Sequence, residues 1–318
     1  MARTIVVGTR GSPLAIWQTD FVIAKLRARL PNQQFEVRRI RTRGDRLQEV
    51  KLGELGARGA FADEIRRALM DREIDLAVHS VKDLPNEPAE GISLAIVGPR
   101  EDPRDALVTR GGATLASLPW GAKVGTGSLR RAAQLKAIRP DLVFASVRGN
   151  VDTRIRKCHA GEFDAVVLAA AGLRRLGLEE QISEVLPLSS VMPAPGQGAI
   201  GVEARGADRE AVAAAAAVDD FTTHQTVRAE QEFARTLGGG CRTPVGAHAA
   251  IVGGVLTLQG LVASPDGQRV LRGEVSGGAA DATALGATLA RQLLAAGAAA
   301  ILAEADAETP DWGGLDGD

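Results

Sequence analysis

Short apolar runs alternate with amphipathic stretches through the first two-thirds of the chain. TIVVGT (4–9) has the make-up of a buried strand. Leu14, Trp17, Phe21, Ile23, Leu26 and Leu30 then follow at close to helical spacing. Ser12 is a good N-cap for that helix, and Pro13 sits at its first position. FEVRRI (35–40) alternates as a strand, FADEIRRALMDREI (61–74) reads as a helix, and DLAVHS (75–80) and ISLAIVG (92–98) read as strands. From about residue 105 the pattern repeats. DALVTR and AKVGTG (122–127) are strands, SLRRAAQLKAI (128–138) a helix, LVFASV a strand, VDTRIRKCHA a helix and DAVVLAA a strand. Two successive βα runs predict two parallel-sheet α/β domains.

The last third reads differently. AIGVEA (199–204) is one more strand. It is free to return to the first sheet, because the 99–197 stretch already makes a complete unit. Two helices (206–218 and 222–237) precede three strands, AHAAIVGG, VLTLQGLVAS and QRVLRGEVSG. Hairpin turns are expected at Gly253-Gly254 and Pro265-Asp266-Gly267. A long Ala/Leu helix (279–304) closes a small α+β domain, and the tail at 308–318 has the composition of a disordered end. The stretch at 42–60 fits neither period. It reads as a lid or binding loop, or else as a plain surface insertion.

The chain has 318 residues, enough for two or three domains. Its 45% apolar and 24% charged residues exclude a disordered or fibrous chain. No run approaches the roughly 18 apolar residues of a membrane helix, and Gly8 and Arg10 interrupt any apolar core near the start. The expectation is a cytoplasmic protein with no membrane partner. Cys158 and Cys241 are too few for a disulfide framework. Aromatic residues make up 3% and there is no tyrosine, which argues against stacking platforms for nucleic acid.

Net charge is −1, but it is divided unevenly. Residues 1–160 carry 22 Arg and 6 Lys against 18 acids, a net +10; residues 161–318 carry 10 Arg and no Lys against 21 acids, a net −11. A coding bias toward arginine accounts for the Arg/Lys ratio but not for its placement. A polyanionic ligand on the first half accounts for the placement, because the arginine fork grips carboxylates in a bidentate way.

Several segments could carry chemistry. GTRGSPLA (8–15) takes a strand through a glycine turn into a helix at Ser12, so backbone N–H groups with Arg10 could hold an anion. GTGSLRRAAQ (125–134) repeats that logic, with Ser128 as cap and Arg130 and Arg131 in the first turn. There they oppose the helix dipole unless an anion offsets them. Neither segment is a nucleotide fingerprint. VRGNVDTR (147–154) adds Arg148 and Arg154, and Arg174 and Arg175 stand at another helix end. Each could be an ordinary turn or surface charge alone. Several arginines together at the loop ends of parallel strands mark the place where ligands of open α/β sheets bind. HSVKDLP (79–85) brings His79, Lys82 and Asp83 to a strand's carboxyl end. His79 and Asp83 are too few for a metal site, and an ionised Asp83 could stabilise a cation or move a proton. TLGGGCRTPVGAH (236–248) places Cys241 after three glycines, on an accessible loop and beside Arg242, which favours the thiolate; the competing reading is an idle surface thiol. Cys158, inside an amphipathic helix, reads as structural.

Together the motifs resemble one family, the porphobilinogen deaminases or hydroxymethylbilane synthases. The matches are GTRGSPLAIWQ at 8–18, TRGD at 42–45, GAF at 59–61, HSVKDLP at 79–85, ED-RDAL at 101–107 and GTGSLRR at 125–131. They continue with RGNVDTR at 148–154, AAAGLRRLG at 169–177, PAPGQGA at 193–199 and GGGCRTPVGA at 238–247. Ten weak motifs in order over most of the chain make a specific set. The resemblance implies two periplasmic-binding-protein-like α/β domains and a small C-terminal α+β domain. Their expected bounds are 1–98 with 198–217, then 99–197, then 218–307. It implies one covalent dipyrromethane cofactor per chain, bound by thioether to Cys241, and Asp83 as the catalytic residue. Lys82, Ser12, Ser128, Arg130, Arg131 and Arg154 match cofactor-binding positions. Arg10, Arg148, Arg175, Gln18 and Phe61 match substrate-binding positions. No metal, no nucleic acid and a monomer are expected.

The chemistry suits these residues. Porphobilinogen is a pyrrole with an acetate, a propionate and an aminomethyl group. The enzyme would deaminate four of them, join them head to tail and release hydroxymethylbilane. Six rings would bring about twelve negative charges. Like charges about 4 Å apart repel by about 1 kcal/mol in water and about 4 at an effective dielectric of 20, which an arginine-rich cleft would offset. The competing reading is a two-lobed anion-binding protein without chemistry, which gives Cys241 no role. A nucleic-acid binder fits poorly with the acidic second half.

Overall fold

The IVVGT run forms β1 (Ile5–Thr9), with Ile5 and Val7 buried. The computed structural model describes residues 3–40, 60–238 and 243–307, so the tail and nearly all of the 42–60 stretch lie outside the described residues. The chain divides into two compact units, residues 1–101 with 199–224 and residues 102–198 with 225–318.

In the first unit the sheet order is β2 (Phe35–Arg39), β1, β3 (Leu76–Ser80), β10 (Ile200–Arg205), β4 (Ile92–Val97). Apolar side chains leave both faces of the inner strands, so both need cover. Val22 and Leu26 of α1 (Pro13–Arg29) and Ala211 of α6 (Arg209–Ala216) pack with Val78 and Val202 on one side. Ile65 and Leu69 of α2 (Ala60–Met70) pack with Ala77 on the other.

The second unit repeats the arrangement in the order β7 (Val143–Ala145), β6 (Lys123–Gly125), β8 (Ala165–Ala169), β5 (Asp105–Thr109), β9 (Glu184–Val185). Its helices are α3 (Leu129–Ile138), α4 (Val151–His159) and α5 (Ala170–Arg175). The same unit holds an antiparallel sheet of β11 (Val245–Val252), β12 (Val255–Ala263) and β13 (Val270–Gly278). One core unites Phe233 of α7 (Phe221–Thr236), Leu289 of α8 (Ala282–Ala295), Ile301 of α9 (Ala298–Ala307) and Leu258. Among the described residues no single helix is long and apolar enough to cross a membrane; the bent α8–α9 pair meets that test only when taken together.

Two details differ from the expected pattern. Each five-stranded sheet is mixed: β10 runs antiparallel to β3 and β4, and β5 antiparallel to β8 and β9. The alternation of apolar positions is the same for either strand direction, so it carries no sign of this. The single helix expected over 279–304 is two, bent by 87°. Gly297 stops the first one in the left-handed region, at φ 101°. The Gly253-Gly254 turn forms as expected, with φ of 59° and 81°, the positive pair that a two-residue hairpin requires.

Candidate active site

β1 and β3 are parallel, with Val7 opposite Leu76, so the segments leaving their carboxyl ends share one edge of the first sheet. From β1 the chain passes Arg10 to Ser12, whose hydroxyl accepts from the Ala15 amide at 3.3 Å and caps α1. Pro13 starts the helix, and its first turn holds no acid. From β3 the chain enters a 3-10 turn, Val81–Asp83, which presents half-buried Lys82 and Asp83. The turn is fixed from two sides. Val81 N–H donates to the Ala199 carbonyl at 3.1 Å, and Leu84 N–H donates to Val81 at 3.0 Å. Gln18 of α1 is buried and its amide donates to Ser80 Oγ at 2.8 Å.

Beneath this edge lies a buried charge cluster. Glu203 of β10 receives Arg66 Nη2 at 2.6 Å and stands 3.4 Å from His79 Nε2. Burial pushes the Glu203 carboxyl up, but His79 beside it and the hydrogen bonds from Arg66 outweigh this and hold it at about 2. His79 is thus engaged on a strand. Among the described residues no group of three or more His, Cys, Asp or Glu side chains is placed to hold a metal ion.

In the second unit β6 is parallel to β7 and β8, so the three βα connections again share an edge. Ser128 caps α3 by accepting from the Arg131 amide at 3.5 Å, and that helix also has no acid in its first turn. Arg148 is half-buried after β7. Gly149 beside it has φ 110°, and a Cβ there would stand 2.5 Å from Thr153 Cγ2, so only glycine fits. Arg154 is buried and its Nε donates to the Gly149 carbonyl at 2.7 Å. Arg175 is buried at the end of α5, with Nη2 donating to the Gly198 carbonyl at 2.6 Å.

Arg130 and Arg131 point inward. Arg130 Nη1 donates to Asp105 Oδ2 at 2.7 Å and to the Met192 carbonyl at 2.5 Å. Arg131 Nε donates to Asp105 Oδ1 at 3.0 Å, and Nη1 to the Val167 carbonyl at 3.0 Å. The anion expected at this helix start is therefore, at least in part, the protein's own Asp105. β5 runs antiparallel to β8 with Asp105 opposite Ala169, which puts the first residue of β5 at the edge where α3 begins.

The first unit thus brings together Arg10, Ser12, Gln18, Lys82 and Asp83, and the second Ser128, Arg130, Arg131, Arg148, Arg154 and Arg175. Cys241 and the side chain of Phe61 lie outside the described residues. Cys158 is buried as expected, its Sγ 3.4 Å from the Val108 carbonyl, and burial pushes the thiol up. Sequence reasoning assigned no role to Asp105, Glu203, Arg66 or Gln197. A signal existed for two of them. Asp105 opens the buried run DALVT and Glu203 sits inside the buried run IGVEAR, and an acid in such a strand demands a partner.

Residues 5–213 match the family model described as porphobilinogen deaminase, dipyromethane cofactor binding domain, and residues 224–295 match porphobilinogen deaminase, C-terminal domain. The chain belongs to the porphobilinogen deaminase family. Among relatives named porphobilinogen deaminase, that of Roseiflexus castenholzii is 50% identical over 95% of this chain and 100% of its own length. That of Desulforudis audaxviator is 50% identical over 95% of this chain and 98% of its own, and that of Syntrophobacter fumaroxidans 46% over 95% and 98%. Among solved structures, weaker matches include a BvgS domain of Bordetella pertussis (TM-score 0.41, 16% identity, 68% of this chain and 84% of that one) and YhfZ of Shigella flexneri (0.37, 20%, 73% and 95%).

The first family domain is the one that binds a dipyrromethane cofactor, and the residues present suit that group. It is rich in carboxylates. The two serine-capped helices α1 and α3 open without acids, which leaves the positive ends of their dipoles to an anion, and arginines flank both.

Proposed function

We propose that this porphobilinogen deaminase family member is a transferase. It removes ammonia from porphobilinogen, joins four units head to tail onto a dipyrromethane primer held by a thioether to Cys241, and releases hydroxymethylbilane by hydrolysis. When bound, the dipyrromethane supplies a tethered, nucleophilic pyrrole carbon. The protein supplies the rest. The Asp83 carboxylate balances positive charge on the substrate pyrrole nitrogen as ammonia leaves, and it accepts and returns the proton there. Arg10, Arg148 and Arg175 pair with substrate carboxylates, with Gln18 and Phe61 lining the site. Lys82, Ser12, Ser128, Arg130, Arg131 and Arg154 hold the cofactor. In this reading residues 1–98 with 198–217, 99–197 and 218–307 act as three domains of a cytoplasmic monomer.

The observation that carries the reading is the placement of Asp83. Its turn closes the strand whose carboxyl end lies beside the capped start of α1, next to Arg10 and Ser12. The test is to incubate the purified chain with porphobilinogen and follow ammonia and linear tetrapyrrole together. Stoichiometric release of both supports the proposal. Binding of porphobilinogen with no ammonia released would instead favour an anion-binding protein.

A further inference from the structure

Asp105 is fully buried, yet the site described above gives it no chemical task. Its Oδ1 accepts from Arg131 Nε and from Gln197 Nε2, at 3.0 and 2.9 Å, and lies 2.9 Å from Arg131 Nη2; its Oδ2 accepts from Arg130 Nη1 at 2.7 Å. Gln197 is fixed in turn by donating to the Pro103 carbonyl at 2.6 Å. Burial pushes the carboxyl up, but the two guanidinium charges more than reverse this and hold it at about 2, so it is ionised at neutral pH. Arg130 and Arg131 stand at the second and third positions of α3, where the helix dipole disfavours cations. A buried cation needs a partner already in place when the chain folds.

We infer that Asp105 is the internal counter-ion that lets the Arg130–Arg131 pair be built into the fold before any cofactor is attached, and so is a positioning residue for cofactor loading. The inference rests on the proposed role of these two arginines toward the dipyrromethane. It makes a distinction that an ordinary ion pair would not. Once a polyanion is bound, part of the arginine charge is balanced from outside, so Asp105 matters more to the cofactor-free chain than to the loaded one. By contrast, Asp75 also serves two arginines, Arg3 at 2.9 Å and Arg205 at 2.8 Å, but it lies at the amino end of β3, away from the proposed site.

The test uses the full chain produced in a host that makes no porphobilinogen, compared with the chain loaded by adding porphobilinogen. Loading is read by intact mass. Asp105→Asn is expected to lower the thermal midpoint of the cofactor-free chain about twofold more than that of the loaded chain, and to slow loading. Asp75→Asn is expected to lower both midpoints equally. The double variant Asp105→Asn with Arg131→Met is expected to be more stable than Asp105→Asn alone in the cofactor-free state, because it removes a buried cation whose Asp105 counter-charge is gone. Equal losses for Asp105→Asn in the two states would overturn the inference. So would a double variant no more stable than the single one, and this comparison still decides if Asp105→Asn does not fold. If the wild-type chain gains no mass, the loading proposal fails, while the double-variant comparison still judges Asp105 as counter-ion.

Discussion

The side-chain amide of Gln18 donates to Ser80 Oγ at 2.8 Å, joining α1 to the last residue of β3, from which the chain enters the turn that carries Asp83. Both elements present groups at the same sheet edge, so the bond sets one half of the site relative to the other. Ser80→Ala would leave the buried Gln18 amide without this acceptor. The expected cost is about 1–3 kcal/mol of stability in urea unfolding, with a fall in turnover. No change in either would remove the bond from the account.

Gly149 is a place where a methyl group alone should disturb the site. At φ 110° with Thr153 Cγ2 in the way, Gly149→Ala must displace the start of α4, and with it Arg148 and the carbonyl that Arg154 holds. The expected loss is about 1–3 kcal/mol of stability and a raised KM for porphobilinogen. An unchanged KM would separate this loop from substrate binding.

Glu203 predicts a pH dependence. Its folded-state pKa of about 2 lies below the ordinary 4.5, so its contribution to stability is fully present above pH 4.5 and is lost as pH falls toward 2. Glu203→Gln should be less stable than wild type at pH 7, by about 3 kcal/mol for a buried ion pair that loses one partner. The two unfolding curves should converge below pH 4.5. A constant difference across that range would show that the carboxylate charge is not what holds Arg66 and His79.

Asp83 is expected to act in the chemical step rather than in binding. Asp83→Asn should lower ammonia release by about 10²–10⁴-fold while cofactor loading, read by mass, persists. Retained turnover would move the catalytic role elsewhere on this edge.

Much of this fold was legible because local signals agreed with one another. Ser12 before Pro13 and the apolar spacing from Leu14 onward predict a helix over 13–30, and α1 spans Pro13–Arg29. The glycine pair at 253–254 predicts the β11–β12 turn. Strand direction was not legible, because alternation is blind to it, and β5 and β10 are antiparallel insertions into otherwise parallel pairings. Nor was the break at Gly297, because a glycine inside an Ala/Leu run is tolerated in a helix unless the next element turns away. For the site, the motifs brought out the polar groups gathered at the carboxyl edges of the two sheets. They did not bring out the carboxylates behind them, because a partner such as Asp105 for Arg130 and Arg131 lies 25 and 26 residues away in sequence and meets them only through the sheet.

The most direct test of the central claim is the intact mass of the denatured chain beside that of Cys241→Ser. The account predicts a mass excess of two linked pyrrole rings on the wild-type chain and none on the variant. A wild-type chain that stays at its sequence mass after incubation with porphobilinogen, or an excess that survives Cys241→Ser, would contradict it.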